Sequence, residues 1–468
     1  MSRNDEQNAG RLKRELTLRD LVLFNIVAVV SITSLATAAR AGPSVLTLWL
    51  AAAALFFVPQ GLAVVELSAS YPEEGGIYAW ARREFGERHG FLCGWCYWIN
   101  NVVFFPSLLL SASSIALYAA GRGADGAGGN WTYTLAFTLG ALWLAAALNV
   151  VGVGTGKWLQ NVGGVGVYVA LAILVAVGAH AALTRPAANP LPAGWWKPGF
   201  GDLSSLNLWA TIPFAYAGLE LCATLGGEAR DARRNLPRSV YLAAPLIALV
   251  QLLAAGALVW LLPAPETSVV SGVFQAISAG SGSALGWLAP VAAACAVVAR
   301  LGGLGAWLTG SARVAFAVGL DRYFPAAFGR VHPRWRTPHV AILVEAALAT
   351  AFLLVGVVGR GTTVETAYLV LLDMSLLLYF IPYVYLFACH VRHRRRVAAD
   401  GAAPYGKTLP AVVAAGCGLL VTVFAMAVTM IPPPETARPW LFAAKVAGGA
   451  LLMIAAGGAV YLRAPKRR

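Results

Sequence analysis

The sequence predicts an all-α polytopic membrane protein with about twelve transmembrane helices. Three observations predict it: scarce charge, long apolar runs in succession, and basic residues gathered on alternate connections. Of the 468 residues, 59% are hydrophobic and 12% charged, against about 25% charged in a soluble domain. Mean hydropathy is +0.68. A soluble fold of this size could not cover its exterior with so little charge. That excludes cytosolic enzymes, nucleic-acid binders and secreted disulfide domains.

A helical span needs about 20 mostly apolar residues. Runs that qualify lie near 21–41, 45–69, 91–118, 132–151, 158–182, 207–228, 239–262, 285–310, 338–358, 366–388, 409–431 and 440–461. Barrel strands would be shorter and would alternate every second residue; these runs are apolar all round. The polar segment 1–20 is followed by span after span, not by a cleavage site and a soluble domain, so the first run is a span and not a signal peptide. Gly- and Pro-rich breaks at Gly121–Gly129, Thr184–Gly201, Pro263–Glu266 and Ile431–Pro434 mark loops. The expected organisation is a cytoplasmic tail (1–20), a ten-span core (21–388), a basic cytoplasmic loop (389–408), two more spans (409–461) and a short tail (462–468).

With the N-terminus inside, 27 of the 35 Lys and Arg residues fall on inside segments, 7 at outside ends, and Arg300 alone within a span. This bias places both termini in the cytoplasm of a bacterial-type inner membrane and requires an even number of spans. The net charge of +14 is thus a topology signal, with no nucleic-acid partner implied. The six cysteines sit in or beside apolar runs, unlike an extracellular disulfide framework. Cys93 and Cys96 form a lone CxxC and read as small helix-packing residues.

Two spans carry unusual interiors. Span 1 holds Ser31-Ile32-Thr33-Ser34, and span 6 holds Phe214-Ala215-Tyr216-Ala217-Gly218-Leu219-Glu220. Polar groups, Gly and a carboxylate at mid-membrane are where a helix can break and line a cavity. The two spans are five apart. If spans 1–5 (about 21–182) and 6–10 (about 207–388) are repeats, their odd length makes them inverted, and matched breaks then point to a binding site near the midplane. The plainer reading is that Ser and Thr bond back to the preceding turn.

Three patterns resemble the amino acid–polyamine–organocation (APC) transporter superfamily. They are Tyr71-Pro72-Glu73-Glu74-Gly75-Gly76-Ile77-Tyr78-Ala79-Trp80 with Phe85-Gly86; the span 6 segment continuing to Gly227-Glu228-Ala229-Arg230 and Asn235-Leu236-Pro237-Arg238; and Ser311-Ala312-Arg313 through Asp321-Arg322-Tyr323-Phe324-Pro325 to Arg336-Thr337-Pro338. The resemblance runs from about residue 16 to 461. It implies a five-plus-five inverted repeat (the LeuT-like fold) with two extra helices, spans 1 and 6 broken, and spans 1, 3, 6, 8 and 10 around the substrate. Two departures stand out. Many relatives carry Gly-x-Gly at the span 1 break, but this chain has no Gly between Arg19 and Arg40. Ser31, Thr33 and Ser34 are then expected to cap the exposed backbone. Some proton-coupled relatives carry a Lys in span 5, where this chain reads Gly163-Gly164-Val165-Gly166-Val167-Tyr168.

The candidate substrate contacts are Ser31, Ile32, Thr33, Ser34, Asn101, Tyr216, Ala217, Gly218, Leu219, Trp307 and Asp373, with Phe214 as an aromatic gate. Asn101 and Trp307 match pocket positions in the superfamily; helix packing, with Gly302-Gly303-Leu304-Gly305 allowing close approach, is the alternative for Trp307. Glu220, beside the span 6 break, is the candidate proton carrier, because burial disfavours a carboxylate's charge; the alternative is a helix-bridging acid. Arg300 in span 8 and Asp373 in span 10 are expected to form a buried ion pair, since a lone intramembrane charge is costly. Otherwise Asp373 meets a substrate ammonium or Arg300 a substrate carboxylate. Glu228, Arg230 and Arg313 form a candidate cytoplasmic gate, or are topology determinants if exposed. No role is assigned to Glu66 or Glu345.

Enzyme signatures fail. Gly152-Val153-Gly154-Thr155-Gly156-Lys157 lacks the Ser or Thr of a phosphate loop. His390 and His393 stand among arginines, which repel a metal. No catalytic residue, metal or cofactor is expected, and no nucleotide-binding segment is present for ATP-driven transport. The expected function is secondary active transport of amino acids, proton-coupled or by exchange. The alternatives are a polyamine carrier, a channel, which would want a ring of like polar residues, and a membrane-embedded enzyme or receptor.

Overall fold

The computed structural model describes residues 12–122, 131–191, 193–197, 206–358, 364–399, 408–432 and 438–464. The first part of the expected tail, residues 400–407 of the expected basic loop and residues 465–468 lie outside these. Among the described residues, ten helices are long and apolar enough to cross a membrane, and two shorter apolar stretches, Ala210–Leu225 and His339–Val355, occupy the places of the sixth and ninth expected runs. The spans used below are 1 (Leu18–Ala39), 2 (Val45–Ser70), 3 (Glu87–Ala119), 4 (Trp131–Val151), 5 (Val153–Thr184), 6 (Leu206–Leu225), 7 (Ala232–Leu261), 8 (Leu288–Leu320), 9 (His339–Val358), 10 (Val364–Ala399), 11 (Thr408–Thr429) and 12 (Pro439–Arg463). The large apolar side chains left on the outside, among them Trp158, Trp287, Leu409, Leu420 and Trp440, suit a surface solvated by lipid. All six cysteines are free thiols.

Span 1 starts on a capping box: Thr17 Oγ1 accepts from the Asp20 N–H, and the Asp20 carboxylate accepts from the Thr17 N–H. It breaks between Val29 and Ile32. Val30 (φ −71°, ψ 114°) and Ser31 (φ −118°, ψ 109°) are extended, a conformation open to any residue, so this break needs no glycine. Ser31 then caps the second half-helix, its Oγ accepting from the Ser34 N–H at 3.3 Å. Span 6 breaks differently. Its α-helix ends at Tyr216, and a 3₁₀ helix begins at Leu219. Gly218 between them has φ +130°, where a side chain is strained. A Cβ there would also come within 3.2 Å of both Trp307 and Val29. The two breaks therefore touch.

The glycines of spans 5 and 8 serve close approach. A Cβ on Gly163 would lie 2.8 Å from the Gly302 Cα, and one on Gly166 would lie 2.8 Å from the Cys295 carbonyl oxygen. That contact leaves no room for a lysine at either position. Two expected boundaries move. Lys157 lies inside the span 5 helix, and span 10 runs on to Ala399, so residues 389–399 are helix and not loop. Buried acids on other elements hold this basic stretch in place: Glu66 meets His390 at 2.9 Å and Arg394 at 2.6 Å, and Glu84 meets Arg396 at 2.7 Å.

Candidate functional site

A small cavity lies between the two breaks. Val27 to Ile32 of span 1 form one wall and Phe214 and Ala217 of span 6 another; span 8 adds Ala296, Ala299, Arg300, Gly303 and Trp307. Span 3 adds Phe104 and Leu108, span 5 Val167, and span 10 Tyr379. Its volume is about 50 Å³, room for a few waters, so an organic solute would enter only as the walls part.

Four rings form one side. Trp307 lies 6.0 Å from Phe104 and 5.6 Å from Tyr379; Phe214 lies 6.0 Å from Phe104 and 5.9 Å from Tyr379. The Trp307 indole N–H donates to the Ala28 carbonyl at 3.1 Å. It thereby satisfies one of the carbonyls left over where the first half of span 1 ends.

Of the expected contacts, Ser31, Ile32, Ala217, Trp307 and Phe214 line the cavity. Thr33, Ser34, Gly218 and Leu219 flank it on the same two half-helices. Asn101 does not line it: its amide donates back to the Tyr97 carbonyl of its own helix at 2.8 Å. Tyr216 turns away, stacking on Phe57 at 4.6 Å and meeting Trp49 edge-on at 5.0 Å. Arg300 donates to Thr33 Oγ1 and lines the cavity, whereas Asp373 is buried outside its lining.

Glu220 is fully buried and sits behind the Tyr379 wall. Its Oε1 accepts from the hydroxyls of Tyr97 (3.1 Å) and Tyr379 (2.5 Å). Its Oε2 accepts from the Gln60 amide (3.1 Å) and the Tyr383 hydroxyl (2.5 Å). The Tyr383 hydroxyl also accepts from the Gly218 N–H at 2.8 Å. One hydroxyl thus joins the carboxylate to the broken backbone, and another joins it to the cavity wall. Gln60, Tyr97, Tyr379 and Tyr383 went unrecognised in the sequence. A polar residue inside span 2 and two tyrosines four apart, on one face of span 10, were the available signals.

Toward the far end of spans 6 and 8, Arg313 and Glu228 form a two-pronged pair, Nε to Oε2 at 2.9 Å and Nη2 to Oε1 at 2.8 Å. Both side chains are within 1% of complete burial, so this is not the exposed pair that the sequence allowed. Arg230 takes no part through its side chain: it is exposed, and its backbone N–H donates to the Leu16 carbonyl at 2.9 Å. The Glu228 carbonyl in turn accepts from the N–H groups of Glu15 and Leu16, tying the chain's start to the end of span 6.

Glu74, in the loop after span 2, completes this end. Its Oε2 accepts from the Gly227 N–H at 2.6 Å, and its Oε1 is out of reach of solvent. Burial first, and the Glu228 carboxylate second, push its pKa up to about 8. Arg313, Glu228 and the buried Glu345 of span 9 are the other ionisable groups of this cluster. A carboxyl group whose pKa is raised in the folded state stabilises below its ordinary value and loses that contribution as pH climbs to the raised one. The melting temperature should therefore fall from pH 5 to pH 8, Glu74 contributing up to about 1.4 kcal/mol per pH unit. Glu74→Gln should flatten that fall. Equal slopes in purified wild type and variant would show that Glu74 is not the group responsible.

The family model described as amino acid permease matches residues 16–453. The chain belongs to the amino acid permease family. It is thus a multi-pass membrane transporter and not an enzyme, with a small-molecule substrate. An uncharacterised transporter of Legionella pneumophila is 29% identical over 456 residues, covering 94% of this chain and 95% of the relative. A probable agmatine/putrescine antiporter of Lactococcus lactis is 24% identical, covering 82% and 80%. A glutamate/gamma-aminobutyrate antiporter of the same species is 23% identical, covering 82% and 77%.

Proposed function

We propose that this permease is a secondary active transporter that carries an amino acid by alternating access, holding it between the breaks of spans 1 and 6. The observation that supports this most is the apposition of two interrupted helices around a small cavity. Half-helix ends present N–H groups and partial positive charge at one end and carbonyls at the other, a match for a carboxylate beside an ammonium. Breaks in spans 1 and 6 fit two inverted halves, spans 1–5 and 6–10, that rock about a fixed site. The basic-residue bias orients both termini to the cytoplasm.

In this reading Trp307, Phe214 and Tyr379 form an aromatic wall that must move to admit substrate. The Arg313–Glu228 pair latches the cytoplasmic side, and Glu220 links protonation to the cavity through Tyr379. Purified protein in liposomes preloaded with mixed amino acids should accumulate a labelled one by counterflow, with a saturable rate. Flux rising linearly with concentration would make it a channel, and absence of flux for every amino acid would overturn the proposal.

A further inference from the structure

We propose that Glu345 is a second counter-charge for Arg313: when the cytoplasmic latch breaks, the guanidinium passes from Glu228 at the end of span 6 to Glu345 on span 9. This rests on the proposed function, which makes the Arg313–Glu228 pair a latch. Glu345 is fully buried, and neither of its oxygens has a hydrogen-bond partner among the described residues. The groups that act on it are Ser311 and Arg313 of span 8, and both are engaged elsewhere. The Ser311 hydroxyl donates to the Trp307 carbonyl at 2.6 Å. Arg313 gives Nε and Nη2 to Glu228 and Nη1 to the Thr309 carbonyl. A buried carboxyl group without hydrogen bonds is costly, and a turn of the neighbouring guanidinium relieves that cost.

The two acids belong to different parts of the fold. The Glu228 carbonyl accepts from the N–H groups of Glu15 and Leu16, and the 3₁₀ end of span 6 packs on spans 1, 2 and 7 as well as on span 8. Span 9 packs on spans 3, 4 and 8. Just ahead of it, the Thr337 hydroxyl donates to the Val150 carbonyl of span 4 at 2.7 Å. Breaking the latch draws the end of span 6 away from span 8 and leaves span 9 beside it. Without a second acid, Arg313 would then be a buried base stripped of its partner, a costly state. Glu345 replaces the lost charge through a side-chain rotation alone. Glu74 is poorly placed to do so, because its Oε2 accepts from the Gly227 N–H and leaves with span 6. The guanidinium is thus partnered in both states, and Glu345 acts through it as a positioning residue.

The test is a double-variant cycle read by melting temperature on the purified full chain. Glu345→Met should melt no lower than wild type, since it removes a carboxyl group with no hydrogen bond to lose. Glu228→Met should fold, with Arg313 turned to Glu345. The double variant should lose more melting temperature than the two single variants added, because both acceptors are then gone. Additive losses, or a Glu228→Met variant that does not fold, would overturn the hand-over. In the counterflow assay, Glu345→Gln should run about tenfold slower, the scale of one hydrogen bond to a charged group, while melting as wild type does. Glu345→Asp should recover part of the rate. A wild-type rate in Glu345→Gln would overturn the role of Glu345 in transport. The melting cycle needs no substrate, so it decides the hand-over by itself. A wild type with no flux of any amino acid would overturn the transport proposal and leave the shared guanidinium to be judged by melting.

Discussion

Arg313→Met should cost more than the double variant Glu228→Gln/Arg313→Met, in melting temperature and in the yield of folded protein. The pair is wholly buried and two-pronged. Removing the guanidinium alone leaves the Glu228 carboxylate without its counter-charge, with Glu74 acting on it as a second acid. A stranded buried charge typically costs about 3–5 kcal/mol, whereas replacing both partners is often close to neutral. Arg313 also donates to the Thr309 carbonyl at 3.0 Å, a bond that both variants lose alike, so it cancels from the comparison. The double variant should fold but transport differently, because an inner latch has to break and re-form in every cycle. If the single variant melts no lower than the double, the pair is not what holds this end closed.

Glu220→Gln should retain counterflow while flattening the dependence of transport on pH between 5 and 8. The carboxylate accepts all four of its hydrogen bonds, three of them from tyrosine hydroxyls. A hydroxyl both donates and accepts, so it can turn to receive the amide N–H that glutamine introduces, and the network survives. What glutamine cannot do is gain and lose a proton. Tyr379→Phe tests the same link from the cavity side, since its hydroxyl reaches Oε1 while its ring forms the wall. It should weaken the coupling of substrate binding to pH, which must act in both directions if it exists. A Glu220→Gln profile that matches wild type would assign the carboxylate to joining spans 2, 3, 6 and 10.

Much of this architecture was legible in one dimension. Spans are read from runs of about 20 apolar residues, which is a local property, and each of the twelve expected runs meets a helical stretch. The span 6 break was legible because Gly218 marks a φ of +130° that other residues avoid. The span 1 break was legible from its serines and threonine, although its extended backbone makes no demand for glycine. Span 10 was cut short because a run of His and Arg has the local character of a loop. Its helix is held by Glu66 and Glu84, which arrive from span 2 and the short helix Ile77–Phe85.

Partnerships were decided only in three dimensions. Arg300 and Asp373 are each rare in their spans, but composition does not say that Arg300 lines the cavity while Asp373 stays outside its lining. Arg313 and Glu228 could be read either as a gate pair or as exposed topology charges, and it is packing that encloses them. Glu220 could be singled out as an acid within a span, while its donors Tyr97, Tyr379, Gln60 and Tyr383 lie 123, 159, 160 and 163 residues away along the chain. Hydropathy and backbone conformation are set by near neighbours, so sequence determines the spans and their breaks. A buried polar group must find its hydrogen bonds wherever folding brings a donor, and only the tertiary structure decides where that is.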